Sequence, residues 1–178
     1  MKPSINKRPA LKLALVGISA ATIECGKLAL SALPNVEVVT LLVALYGYCF
    51  GKTGIIATLV FVAIEPLIYG IGSWVPVYFI YWPLLALTVA LLGRARIKSR
   101  LALTGTALLM TVLFGVLSAL VDVGLLSGSF DNFLYRFGVY YLRGIPFYLA
   151  QLATNAALFP LLFRPLSAAL SRLYRRML

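Results

Sequence analysis

The chain has 178 residues, 62% of them apolar, with 16 Lys and Arg against 5 Asp and Glu and a formal net charge of +11. A soluble domain is roughly 45–50% apolar, which excludes that class, and with about 20 residues needed to cross a 30 Å hydrocarbon core six crossings would use nearly the whole chain and leave no room for a soluble catalytic domain. The positive charge does not point to nucleic acid, because no basic and aromatic binding module accompanies it.

Apolar stretches at 10–33, 36–50, 54–70, 75–93, 101–126 and 136–163 predict six transmembrane helices in a single domain spanning 1–178. The expected class is therefore an all-α integral membrane protein. Thirteen of the 16 basic residues lie between or beyond these stretches: Lys2, Lys7, Arg8 and Lys12; Lys52; Arg94, Arg96, Lys98 and Arg100; and Arg164, Arg172, Arg175 and Arg176. Cytoplasmic N- and C-termini place every cluster on one side, as the positive-inside rule requires.

The first stretch begins like a secretory signal, but more membrane follows it instead of a polar mature domain, so it is expected to be retained. On its inner half Ala10, Ala14, Gly17 and Ala21 recur at steps of four, three and four on one face. Small residues so spaced let a second helix approach closely, inside the bundle or from a partner. Further along, Glu24 and Lys27 sit roughly 13 Å and 9 Å from the outer end of the helix, counted at 1.5 Å per residue. Leu33-Pro34-Asn35-Val36-Glu37 then forms an outer connection.

The second and third stretches meet at Gly51-Lys52-Thr53-Gly54, a tight cytoplasmic turn. Its Gly-Lys-Thr imitates the end of a phosphate-binding loop, yet that motif requires glycine at position 46, where this chain has Tyr46. Cys25 and Cys49 stand alone inside predicted helices and the chain has no histidine. They read as two small buried thiols, and no metal or cofactor is expected.

Glu65 lies about 7 Å from the outer end of the third helix, Asp122 about 6 Å down the fifth and Arg143 about 10 Å down the sixth. Ionisable groups in hydrocarbon are costly and face a partner or a cavity. All of these lie in the outer half, which predicts a pocket open to the outside. They can instead pair structurally, Glu24 with Lys27 and Asp122 or Glu65 with Arg143. Trp74, Tyr78, Tyr81 and Trp82 crowd the start of the fourth helix, either as an interfacial belt or as a stack for a flat ligand. In the sixth helix Arg136, Tyr140, Arg143, Phe147, Gln151 and Asn155 share one face, expected to point inward.

The chain resembles the substrate-binding S component of energy-coupling factor (ECF) vitamin transporters. The resemblance rests on the six-span layout, the Ala10-x-x-x-Ala14 face, the segment Leu33-Pro34-Asn35-Val36-Glu37-Val38-Val39-Thr40-Leu41-Leu42, and the block Arg143-Gly144-Ile145-Pro146-Phe147-Tyr148 followed by Asn155. It implies a multi-pass protein of a bacterial or archaeal plasma membrane that binds a vitamin or related micronutrient, cobalamin being favoured by the block in helix six. It further implies a membrane T subunit and two cytoplasmic ATPase subunits as partners, contacted through Ala10, Ala14, Gly17 and Ala21. The implied ligand contacts are Asn35, Glu37, Glu65, Trp74, Tyr78, Trp82, Asp122, Arg143, Gln151 and Asn155.

Two other classes compete. A membrane-embedded enzyme would have to rest its acid-base chemistry on Glu24, Glu65 or Asp122, and no activated serine stands beside Lys27; the expectation is that the chain is not an enzyme. A channel or carrier working alone would need polar residues through the inner half, where they are scarce, and the internal repeat of many carriers is missing.

Overall fold

A computed structural model describes residues 7–177, and of Lys7 and Arg8 the backbone alone. Lys2 of the first basic cluster lies outside the described residues. Among those residues the regular elements are all helical: α1 Lys7–Ala29, α2 Val39–Phe50, α3 Lys52–Tyr69, α4 Trp74–Arg94, α5 Arg100–Leu120 with a π-helical extension Val121–Leu126, α6 Phe133–Leu158, a π-helical turn Phe159–Phe163, and α7 Arg164–Met177. Five helical runs are long and apolar enough to cross a membrane: Pro9–Ala29, Lys52–Tyr69, Trp74–Arg94, Arg100–Leu126 and Phe133–Met177.

Three boundaries differ from the sequence expectation. The first helix stops at Ala29, short of Leu33, and 30–38 is a connector of turns. Pro34 and the left-handed Asn35 (φ +60°) keep that connector from continuing the helix. The stretch 36–50 yields a helix of 12 residues, rising only about 18 Å. Its start is set by Glu37, whose carboxylate accepts the Thr40 N–H at 2.8 Å and so satisfies a free donor at the positive end of the helix. The third difference is the stretch 136–163, which belongs to a continuous run of 45 residues, Phe133–Met177. At about 67 Å this run is more than twice the hydrocarbon thickness. Pro160, lacking an N–H, sits in the widened π turn where α6 passes into α7.

Short as it is, α2 is the centre of the bundle and touches all six other α-helices. Nine of its 12 residues are buried: Val39, Thr40, Leu41, Val43, Ala44, Leu45, Tyr46, Gly47 and Phe50. Lipid tails are as apolar as leucine, so close packing, not transfer from water, must hold such a bundle together. Gly47 provides it against α4, where a Cβ would lie 2.6 Å from the Ala86 carbonyl oxygen. One residue, Gly51 (φ +56°), turns α2 back into α3.

At the other end of the helices, α7 is fastened to the last residues of α2. Phe163 packs edge-on against Tyr48 (centroids 5.4 Å apart), Ser171 Oγ reaches Cys49 Sγ at 3.5 Å, and the Tyr174 ring lies 5.0 Å from Phe50. Roughly 16 Å of helix thus meets three successive residues, so α7 crosses the end of α2 instead of running beside it. Cys49 is half-buried there, whereas Cys25 is exposed, contrary to the expectation of a buried thiol.

The charges separate along the bundle. Glu24, Glu37, Glu65, Asp122 and Asp131 all fall at the end formed by the C-termini of α1, α3 and α5, and the basic clusters fall at the opposite end.

Candidate functional site

A cavity of about 200 Å³ opens at the acidic end. The connector 30–38 covers it with Leu30, Ser31, Leu33, Pro34, Asn35, Val36 and Glu37. Its walls are Lys27 of α1, Thr40 of α2, Phe61 of α3, Tyr78, Tyr81 and Trp82 of α4, Thr111 and Phe114 of α5, and Gln151 of α6. Six helices therefore converge on one small space.

The aromatic part follows from spacing on α4, where residues four apart stand one above another. Trp74, Tyr78 and Trp82 make a ladder with ring centroids 4.9 Å and 5.7 Å apart at 67° and 88°. Tyr81 joins it, 4.8 Å from Trp82 and 4.9 Å from Phe114. These edge-to-face contacts are the favourable ones for aromatic rings. Trp82 is 6% exposed and its indole N–H has no hydrogen-bond partner in the protein, a state that costs about 1–3 kcal/mol for a buried donor.

The polar part has two clusters. In the first, the Lys27 ammonium forms an ion pair with the fully buried Glu65 carboxylate. The same ammonium lies 4.0 Å from the Tyr69 ring centroid and 5.5 Å from that of Tyr78, within reach for cation–π attraction. Tyr69 OH donates to Glu24 at 3.0 Å. Lys27 therefore joins Glu65 of α3, not Glu24 one turn below it, and Arg143 takes no part.

In the second cluster, Asn155 is completely buried and its amide donates to Glu37 at 3.3 Å and to Thr111 Oγ1 at 3.1 Å. The Thr40 hydroxyl donates to Glu37 at 2.5 Å. Three helices and the connector are tied at one carboxylate. Glu37 lies outside the helices long enough to cross a membrane; burial pushes its carboxyl above the ordinary range, against the hydrogen bonds from Thr40 and Asn155 that hold it down.

Of the ten residues expected from the sequence to contact a ligand, Asn35, Glu37, Tyr78, Trp82 and Gln151 line this cavity. Glu65, Trp74 and Asn155 stand behind it, touching the lining residues Lys27, Tyr78 and Glu37 respectively. Asp122 and Arg143 lie elsewhere, in a shallow hollow between the π extension of α5 and the start of α6, with Tyr135, Arg136, Val139 and Tyr140. There Tyr140 OH donates to Asp122 at 2.6 Å and Arg136 donates to the Ser129 carbonyl at 3.0 Å. The six-residue face of α6 is thus split: Asn155 is buried and Gln151 half-buried, while Tyr140, Arg143 and Phe147 are exposed. Lys27, Thr40, Phe61, Tyr81, Thr111 and Phe114 complete the lining.

The small-residue face of α1 points the other way. Ala10, Ala14, Gly17 and Ala21 are all exposed, and the space where a Gly17 Cβ would stand is open to 4 Å. The face that α1 turns to the bundle is instead Val16, Ser19, Ala20, Ile23 and Glu24. No protein-family model, curated protein or solved structure matches the chain.

Proposed function

We propose that the chain is the substrate-binding membrane subunit of an ECF-type importer, taking up a small ring-containing vitamin or related micronutrient. In this reading the six stretches are membrane segments, with α2 as a short central one, both termini are cytoplasmic, and the acidic end faces outward. The observation that carries the proposal is the covered aromatic cavity with the unpartnered Trp82 N–H. A flat ligand stacked among Tyr78, Tyr81, Trp82 and Phe114 and presenting an acceptor to Trp82 gains both ring contact and the missing hydrogen bond. Asn35 and Gln151 supply further amide groups, and the connector serves as the lid.

The size of the cavity bears on the substrate. Drug-sized ligands occupy roughly 300–1,000 Å³, and cobalamin, with its corrin macrocycle and nucleotide arm, is larger than most of them. A cavity of about 200 Å³ favours a much smaller ring, so the ligand we propose is not a corrinoid.

Docking on a T subunit is assigned to Ala10, Ala14, Gly17 and Ala21, since this face is left uncovered by the chain's own helices and has the small residues that close helix approach needs. Two ATPase subunits then drive release to the cytoplasm; nothing in the cavity needs a cofactor. Native mass spectrometry of protein extracted gently from a host grown in rich medium tests the proposal. A single co-purified vitamin-sized mass supports it, and an empty protein that binds no member of a vitamin panel overturns it.

A further inference from the structure

The basic end carries a second concavity, about 810 Å³, between α7 and the connector 95–99 that joins α4 to α5. Five cations line it: Arg96 and Lys98 from the connector, and Arg164, Arg172 and Arg175 from α7, with Ser167 and Ser171 among them. The three arginines recur at steps of eight and three, so they stand on one face of α7. All five acidic residues of the chain lie at the opposite end, so the cations have no carboxylate to pair with and mutual repulsion is relieved by an anion from outside.

The site is built, not a loose fringe of charge. Arg96 occupies the left-handed position after α4 (φ +55°), where glycine is usual. Its N–H bonds the Gly93 carbonyl at 3.0 Å, the Ile97 N–H bonds that of Leu92 at 3.0 Å, and Tyr48 OH donates to the Ile97 carbonyl at 2.8 Å. The connector is thereby pinned to α2, the same helix whose end fastens α7. Both walls of the cleft are held by one support.

We propose that this cleft binds the phosphate groups of an anionic lipid headgroup. Guanidinium groups present paired donors that match phosphate oxygens, and basic pockets between membrane helices at the cytoplasmic surface take multiply charged headgroups. A lipid source, as against a soluble phosphate, is favoured by α7 itself. It lies across the end of the bundle with Leu166, Leu173 and Met177 uncovered at 39%, 55% and 37% exposure, giving acyl chains an apolar surface beside the charges, as in an interfacial amphipathic helix. The inference rests on the membrane-crossing part of the function proposed above and is independent of the vitamin cavity.

The test is native mass spectrometry of the full chain in mild detergent, mixed in separate arms with cardiolipin, phosphatidylcholine and inorganic pyrophosphate. The wild type retains one cardiolipin and no phosphatidylcholine. Combined Arg164→Gln, Arg172→Gln and Arg175→Gln lowers cardiolipin occupancy at least tenfold, whereas Lys52→Gln, Arg94→Gln and Arg100→Gln, which remove as many basic-end charges outside the cleft, leave it unchanged. If the α7 variant fails to fold, Arg96→Gln with Lys98→Gln on the exposed connector carries the same expectation. Equal loss in cleft and control variants, or no loss in either, overturns the proposal. Retention of pyrophosphate without cardiolipin overturns the lipid assignment.

Discussion

Lys27 on α1 and Glu65 on α3 form the one ion pair among the described residues, and Glu65 is wholly buried. Removing one member of such a pair costs about 3–5 kcal/mol because the other charge is left uncompensated. With the Lys27 side chain 27% exposed, Lys27→Met should destabilise by about 3 kcal/mol, at the low end of that range. Adding Glu65→Leu should recover most of the loss. Thermal unfolding of the single and double variants in detergent reads both; a double variant as unstable as the single would show that the pair does not act as a unit.

Asn155 joins α6 to Thr111 of α5 and to Glu37 of the connector. Interhelical hydrogen bonds in membrane proteins average about 0.6 kcal/mol, so Asn155→Leu should lower stability by about 1–2 kcal/mol. The more specific outcome is local. Hydrogen exchange across 30–40 should accelerate while α3 and α4 keep their protection, because the removed bond holds the lid and not the bundle.

The sequence makes the charge pattern and most helix ends legible, because charges, glycines and prolines mark themselves. What it leaves open is what lies opposite each face. Arg136 to Asn155 do share one side of α6, yet only the part of it near Gln151 and Asn155 meets α2 and α5 inside the bundle; towards Phe133 the neighbours are α5 and its π extension. Arg143 therefore sits on the surface. Phe61, Thr111 and Phe114 were invisible as lining residues for a different reason: in a long apolar run nothing separates a phenylalanine facing a cavity from one facing lipid. The turn at Pro34 and Asn35 and the acidic Glu37 together carried the signal that α2 begins late.

Trp82 offers a contrast between stability and affinity. Its N–H has no partner in the protein, so Trp82→Phe should change the melting temperature little. Ligand affinity should fall about tenfold, the equivalent of one net hydrogen bond of about 1.4 kcal/mol. Calorimetric titration of wild type and variant checks this; a large loss of stability with unchanged affinity would make Trp82 a packing residue only.

Ala14 is uncovered on α1, so the isolated chain can accommodate a large side chain there. Ala14→Trp should leave folding and ligand binding intact and abolish uptake by the assembled transporter, since small residues are what allow a partner helix to approach. Gly54 is the counterexample: a Cβ there would stand 2.1 Å from the Tyr46 carbonyl oxygen, and Gly54→Ala should prevent the α2–α3 hairpin from closing. Expression yield and uptake assays separate the two effects.

The central claim is that the covered cavity at the acidic end binds a small ring-containing molecule. The chain has two tryptophans: Trp82 lines that cavity, and Trp74 stacks on its wall residue Tyr78. Tryptophan emission of the purified protein, titrated with a panel of small vitamins, is the most direct measurement. Saturable one-to-one quenching by one member is the predicted result. Unchanged emission across the panel, from protein whose folding is verified by its melting transition, would contradict the account.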